Sequence, residues 1–208
     1  MSGGALILLA LAIPIGGAIL LSAVGRFAHL RNEVSLVTSC GLLVAVAALV
    51  PSVMAGDRPS ISLFEFAPGL EFAFEVEPLG MLFALLASFL WIVTTIYSIG
   101  YLAANGEPHR TRFHICFSLA LASVIGIAFA GNMLTLFFFY EALTLCTYPL
   151  VAHSGTEAAR RGARRYLAIL LSTSIMLLLL AILWTWVAVG TLDFRAGGIL
   201  MGAVSEPV

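Results

Sequence analysis

Four stretches of this 208-residue chain, at positions 5–24, 34–55, 79–104 and 166–192, run without a single charged side chain. A hydrocarbon layer about 30 Å thick is crossed by roughly 20 helical residues rising about 1.5 Å each, so each stretch reads as a transmembrane helix. A fifth stretch, 113–152, is 40 residues long. As one helix it would reach about 60 Å, so it must be two spans. Gly131-Asn132 is its turn-like dipeptide, because Gly and Asn punctuate helices, and the split yields helices over 113–130 and 133–152. The expected fold is an all-α polytopic membrane protein of about six transmembrane helices, with 1–208 as a single membrane domain.

Composition agrees. The chain is 61% hydrophobic and 10% charged, against about 25% charged residues in soluble domains. A net charge of −1 removes the basic footprint that nucleic-acid binding requires, so the lipid bilayer is a partner and nucleic acid is not. The opening MSGGALILLA lacks a basic n-region, so the first helix is expected to stay rather than be cleaved as a leader.

Arginine placement orients the helices. Arg26 and Arg31 follow the first helix, Arg110 and Arg112 the third, and Arg160, Arg161, Arg164 and Arg165 the fifth. The opposite loops carry only Arg58 and Arg195. This asymmetry places those three loops in the cytoplasm and both termini outside. The run TEAARRGARR is read as topogenic charge.

Between the second and third helices, Leu70, Phe72, Phe74 and Val76 alternate with Glu71, Ala73, Glu75 and Glu77. Period-two alternation marks a strand and Pro68-Gly69 a turn, so a short external β-hairpin is expected over about 61–77. Pro-Gly suits a type II turn, whereas two-residue hairpins favour the primed types, which leaves the register open.

The residue that carries chemistry is Glu141, in MLTLFFFYEALTLCTYPLVAH. It stands nine residues after Asn132 and twelve before His153, roughly 13 and 18 Å along the axis from the two ends. A charged side chain at that depth costs roughly 2.5–3.5 kcal/mol on insertion scales, and by default marks a functional site facing protein or a wet cavity. Thr144 and Tyr148 lie at i+3 and i+7 on the same face, forming a polar path that could hold water or relay a proton. Pro149 withholds a backbone donor near Leu145 and loosens the helix there. The structural alternative is a neutral Glu that hydrogen-bonds a neighbouring helix. Burial favours the neutral form of a carboxyl and a nearby cation the ionised one, so a moving cation could switch Glu141 between holding and releasing a proton. The chain contains no lysine, and its arginines sit in loops or at helix ends. The pairing cation is therefore expected from another polypeptide.

Further polar candidates are His114, with Ser118 one turn deeper, as a cytoplasmic proton entry, and Ser172 in the sixth helix. Each has a structural alternative: an interfacial histidine, or hydroxyls bonded back to helical carbonyls. Cys40, Cys116 and Cys146 lack metal-ligand spacing and read as packed thiols. There is no P-loop, GxGxxG, CxxC or HExxH motif, so no cofactor and no metal are expected.

The run GNMLTLFFFYEALTLCTYPLVAH, with EVEPLGMLFALL, IYSIGYL and GTLDF, resembles the antiporter-like subunits shared by respiratory complex I, energy-converting membrane hydrogenases and Mrp-type Na+/H+ antiporters, above all the Mrp D-type and hydrogenase-linked branch. The resemblance runs over essentially the whole chain and corresponds to the first six of about fourteen helices. It implies that Glu141 is the family's fifth-helix glutamate, which pairs with a seventh-helix lysine. It also implies an inner (cell) membrane location in a bacterium or archaeon, and partner membrane subunits that supply the later helices and the buried lysine. Three functions compete: a proton-translocating or antiporter module working inside a larger complex, coupled to H+ or Na+; a non-conducting structural subunit of an energy-converting oxidoreductase; and, disfavoured by the missing motifs, a subunit with its own redox site.

Overall fold

A computed structural model describes residues 2–195 and 197–200. Among the described residues six helices are long and apolar enough to cross a membrane: α1 (Gly3–Val24), α2 (Ala28–Met54), α3 (Pro78–Ala104), α4 (Arg110–Ala128), α5 (Met133–Val151) and α6 (Glu157–Val189). A two-stranded antiparallel hairpin, β1 (Ser60–Ala67) and β2 (Leu70–Glu75), stands between α2 and α3.

The ends of the helices differ from the sequence reading for local reasons. α6 starts at Glu157 instead of 166, because the Thr156 hydroxyl accepts from the Ala159 N–H and caps the helix, as short hydroxyl residues do. The four arginines read as loop are therefore its first turns. α2 likewise begins at Ala28 and carries Arg31, Asn32 and Glu33 inside the helix. It has a break at Ala48-Leu49, after which Pro51 opens a final short turn. α6 is interrupted by a π-helical turn, Ser174–Leu179. There the Thr173 hydroxyl donates to the carbonyls of Ile169 and Leu170, and that of Ser174 to those of Leu170 and Leu171. Hydroxyls entering the backbone ladder compete for its acceptors, a known cause of such irregularity.

α4 packs against both α1 and α5, α2 lies between α1 and α3, and α6 leans on α5. Two close approaches fix the α4 side. A side chain at Gly126 would strike the Phe139 ring of α5. The Ser118 hydroxyl donates to the Pro14 carbonyl of α1 at 2.8 Å. The core joins Ile7, Leu42, Val46, Phe74, Val76, Ala84, Ile125 and Phe129, so the hairpin's apolar residues belong to the same hydrophobic body as the helices. The last two spans are much less covered. α5 buries only Thr135 and Thr144, and α6 only Ala163, Ser174, Ile182 and Thr185.

The hairpin turn is Pro68-Gly69, with Gly69 at φ +77°. Proline holds a negative φ, so only the second turn residue is left-handed, the type II pattern. The strand twist it mismatches is absorbed by irregularities between Ser62 and Phe64 and between Glu65 and Ala67, as bulges do. Phe72, Phe74 and Val76 are buried, as the alternation requires.

Candidate functional site: a buried carboxylate in the fifth helix

α5 begins where the hairpin holds it. Asn132 accepts from the Thr135 N–H at 2.8 Å through its side-chain oxygen and donates its amide to the Glu71 carbonyl at 2.8 Å. The Thr135 hydroxyl accepts from the Ala73 N–H at 3.0 Å. On the other side, the Met133 N–H donates to the Leu192 carbonyl. The helix start is thus tied to β2 and to the segment after α6, which fixes the level of everything further along α5.

Glu141 stands eight residues into that helix. Both carboxylate oxygens are buried, and neither has a hydrogen-bond partner among the described residues. A buried carboxylate without donors is costly, and among the described residues no cation meets it. Thr144, on the same face, is buried and bonds its hydroxyl back to the Tyr140 carbonyl at 3.1 Å. That leaves the Thr144 oxygen free to accept. Tyr148, half-buried, lines a cavity of about 310 Å³ with Glu157, Arg160 and Arg164 at the other end of the helix.

The remaining candidates lie elsewhere. His114 is buried, edge-on to Phe113. It shares a face of α4 with Ser118, whose hydroxyl points to α1, so neither is joined to Glu141 by a hydrogen bond. Ser172 is exposed on α6. Sequence reasoning missed a cluster at the arginine-rich end. Arg112 donates to the His153 carbonyl at 3.1 Å, and His153 Nε2 lies 3.9 Å from Glu107 Oε2. Burial, and then the Arg112 guanidinium, hold the His153 imidazole below its ordinary value; Glu107 pulls the other way and is outweighed. Glu107 and His153 are 46 positions apart, and no local pattern announces their meeting.

Six spanning helices, an external hairpin clamped onto the start of the fifth, and an unpartnered carboxylate buried within that helix define a multi-pass membrane protein with an intramembrane acid. Comparison with known proteins narrows the class. Residues 130–203 match the model of the NADH:quinone oxidoreductase/Mrp antiporter transmembrane family, and residues 67–114 that of the NADH-ubiquinone oxidoreductase (complex I) chain 5 N-terminus. NAD(P)H-quinone oxidoreductase chain 5 of Synechocystis sp. is 27% identical over 183 residues, 85% of this chain and 27% of that protein. The chloroplastic subunit 5 of Poa pratensis is 28% identical over 126 residues, 61% of this chain and 18% of that one. Among solved structures, the Mrp complex from Dietzia sp. aligns with a TM-score of 0.75 at 25% identity, over 92% of this chain and 35% of that one. Respiratory complex I from Thermus thermophilus aligns at 0.65 and 20%, over 93% and 42%. In sequence and in fold the chain is similar to the antiporter-like membrane subunits shared by Mrp antiporters and complex I. It spans 27% of the length of the Synechocystis relative and 18% of that of the Poa pratensis one.

Proposed function

We propose that the chain is an antiporter-like module taking part in transmembrane proton, or proton/sodium, translocation within a larger membrane complex, with Glu141 as the proton-handling group. The observation that carries this reading is the buried, unpartnered Glu141 carboxylate on a helix that the described chain leaves largely uncovered. An acid in that setting changes protonation when a cation approaches or withdraws. The cation, a lysine in the family resemblance, lies outside these 208 residues. Thr144 and Tyr148 continue the polar stripe toward the arginine-rich end, which is the cytoplasmic end by the positive-inside rule, with both termini outside and the protein in the cell membrane of a bacterium or archaeon.

The test is transport by the assembled complex. Glu141→Gln and Glu141→Ala are expected to abolish proton movement while the complex still assembles. Wild-type rates in both variants would overturn the proposal and leave the scaffold reading.

A further inference from the structure

The cavity shared by Tyr148, Glu157, Arg160 and Arg164 has a place and a chemistry of its own. Tyr148 sits in the last turn of α5 and the other three near the start of α6, so two helices joined by a loop of five residues build the cavity. Arg160 and Arg164 are at i and i+4 and therefore stack on one face. Ala163, fully buried, sits beside them and lets α6 close on α5. The carboxylate of Glu157 also bonds the exposed Arg161 guanidinium at 3.2 Å, so one acid is shared among three arginines and leaves the pair in excess. Two arginines, a tyrosine and one glutamate thus line a cavity of about 310 Å³, two positive charges against one negative.

The cavity also has a depth. It lies at the end of the bundle where eight of the ten arginines gather, at the level of lipid headgroups. Below it, on the Arg164 face, α6 turns apolar and outward, with Ala168 exposed and Ile175 exposed at 50%. Charge at headgroup level above an uncovered apolar track matches one ligand class. We infer that this cavity binds the phosphate of an anionic phospholipid. Arg160 and Arg164 supply forked donors, which suit phosphate oxygens, the Tyr148 hydroxyl adds a further donor, and the acyl chains run down α6. A zwitterionic lipid brings a cation with its phosphate and is disfavoured by the same pair.

The experiment uses the purified full chain in mild detergent, offered equal amounts of phosphatidylglycerol and phosphatidylcholine with identical acyl chains, with bound lipid counted by native mass spectrometry. Wild type is expected to retain phosphatidylglycerol selectively. Arg160→Ala with Arg164→Ala should cut that preference about tenfold or more, whereas Arg161→Ala with Arg165→Ala, which removes the same charge from the adjoining face, should change it less than about twofold. Tyr148→Phe, the mildest change, should lower it by about threefold, and it decides the matter if the first pair fails to fold. Equal losses in the two arginine pairs would reduce the site to diffuse surface charge and overturn the inference. So would the absence of any preference in wild type, which would make the cavity a seat for an acidic group of another subunit. Displacement of the lipid by inorganic phosphate would overturn it in favour of a soluble anion.

Discussion

The side-chain amide of Asn132 donates to the backbone carbonyl of Glu71 across 61 positions of sequence, so the residue that caps the helix of Glu141 is held by the hairpin. Cap and clamp are one side chain, and this makes Asn132 a sensitive position.

Asn132→Ala removes the acceptor for the Thr135 N–H and the donor to Glu71 together. Lost caps cost about 0.5–2 kcal/mol, and a buried carbonyl left without its donor adds about 1–3 kcal/mol. The variant should melt well below wild type in detergent, as read by a thermal shift assay. An unchanged melting temperature would mean that the hairpin contact contributes nothing to the helix start.

Glu141→Gln should separate chemistry from stability. Neither carboxylate oxygen bonds to anything in the described chain, so the isosteric amide breaks no contact. Stability is expected to hold within about 1 kcal/mol, while transport in the assembled complex is lost. A large drop in melting temperature would instead point to a structural role for the acid.

The close approach of α4 to α5 predicts intolerance at Gly126. Valine there meets the Phe139 ring, and overpacking of this kind costs about 1–3 kcal/mol. Alanine should cost less than valine. Equal, negligible effects in thermal melts would show that the two helices separate easily.

His153 predicts a pH response. Its folded-state value lies below the ordinary histidine value of about 6.5, so as pH falls through that value the unfolded chain takes up the proton first. The stabilising contribution is present above about pH 6.5 and is lost below it. His153→Gln should flatten the difference in melting temperature between pH 7.5 and 5.5, within the range where only histidine ordinarily titrates. A variant curve parallel to wild type would count against it.

Much of this arrangement was legible in the sequence. Charge-free runs of bilayer length located the spans, alternating Phe72, Phe74 and Val76 located a strand with one buried face, and the depth of Glu141 set it apart from every other acid. What stayed hidden falls into two kinds. Helix ends were misread where charged residues are helical: Arg160 to Arg165 look like loop until Thr156 is seen to cap them. Partnerships between distant segments left no periodic trace, as with Ser118 and Pro14, Asn132 and Glu71, or His153 and Glu107. Sequence spacing orders residues along one helix axis; it says little about which neighbour that helix meets.

The widened turn at Ser174–Leu179 sets the phase of everything beyond it. One additional residue per turn rotates the rest of a helix by about 100° relative to its start. Beyond it, the Trp186 indole N–H reaches the Pro68 carbonyl at the hairpin tip, 3.3 Å away. At regular pitch from Ala163 onward, that indole would point to a different azimuth and miss the hairpin. The hydroxyls of Thr173 and Ser174 thus act as a phase adjuster, letting one continuous helix face α5 at its arginine-rich end and the hairpin at the opposite membrane surface.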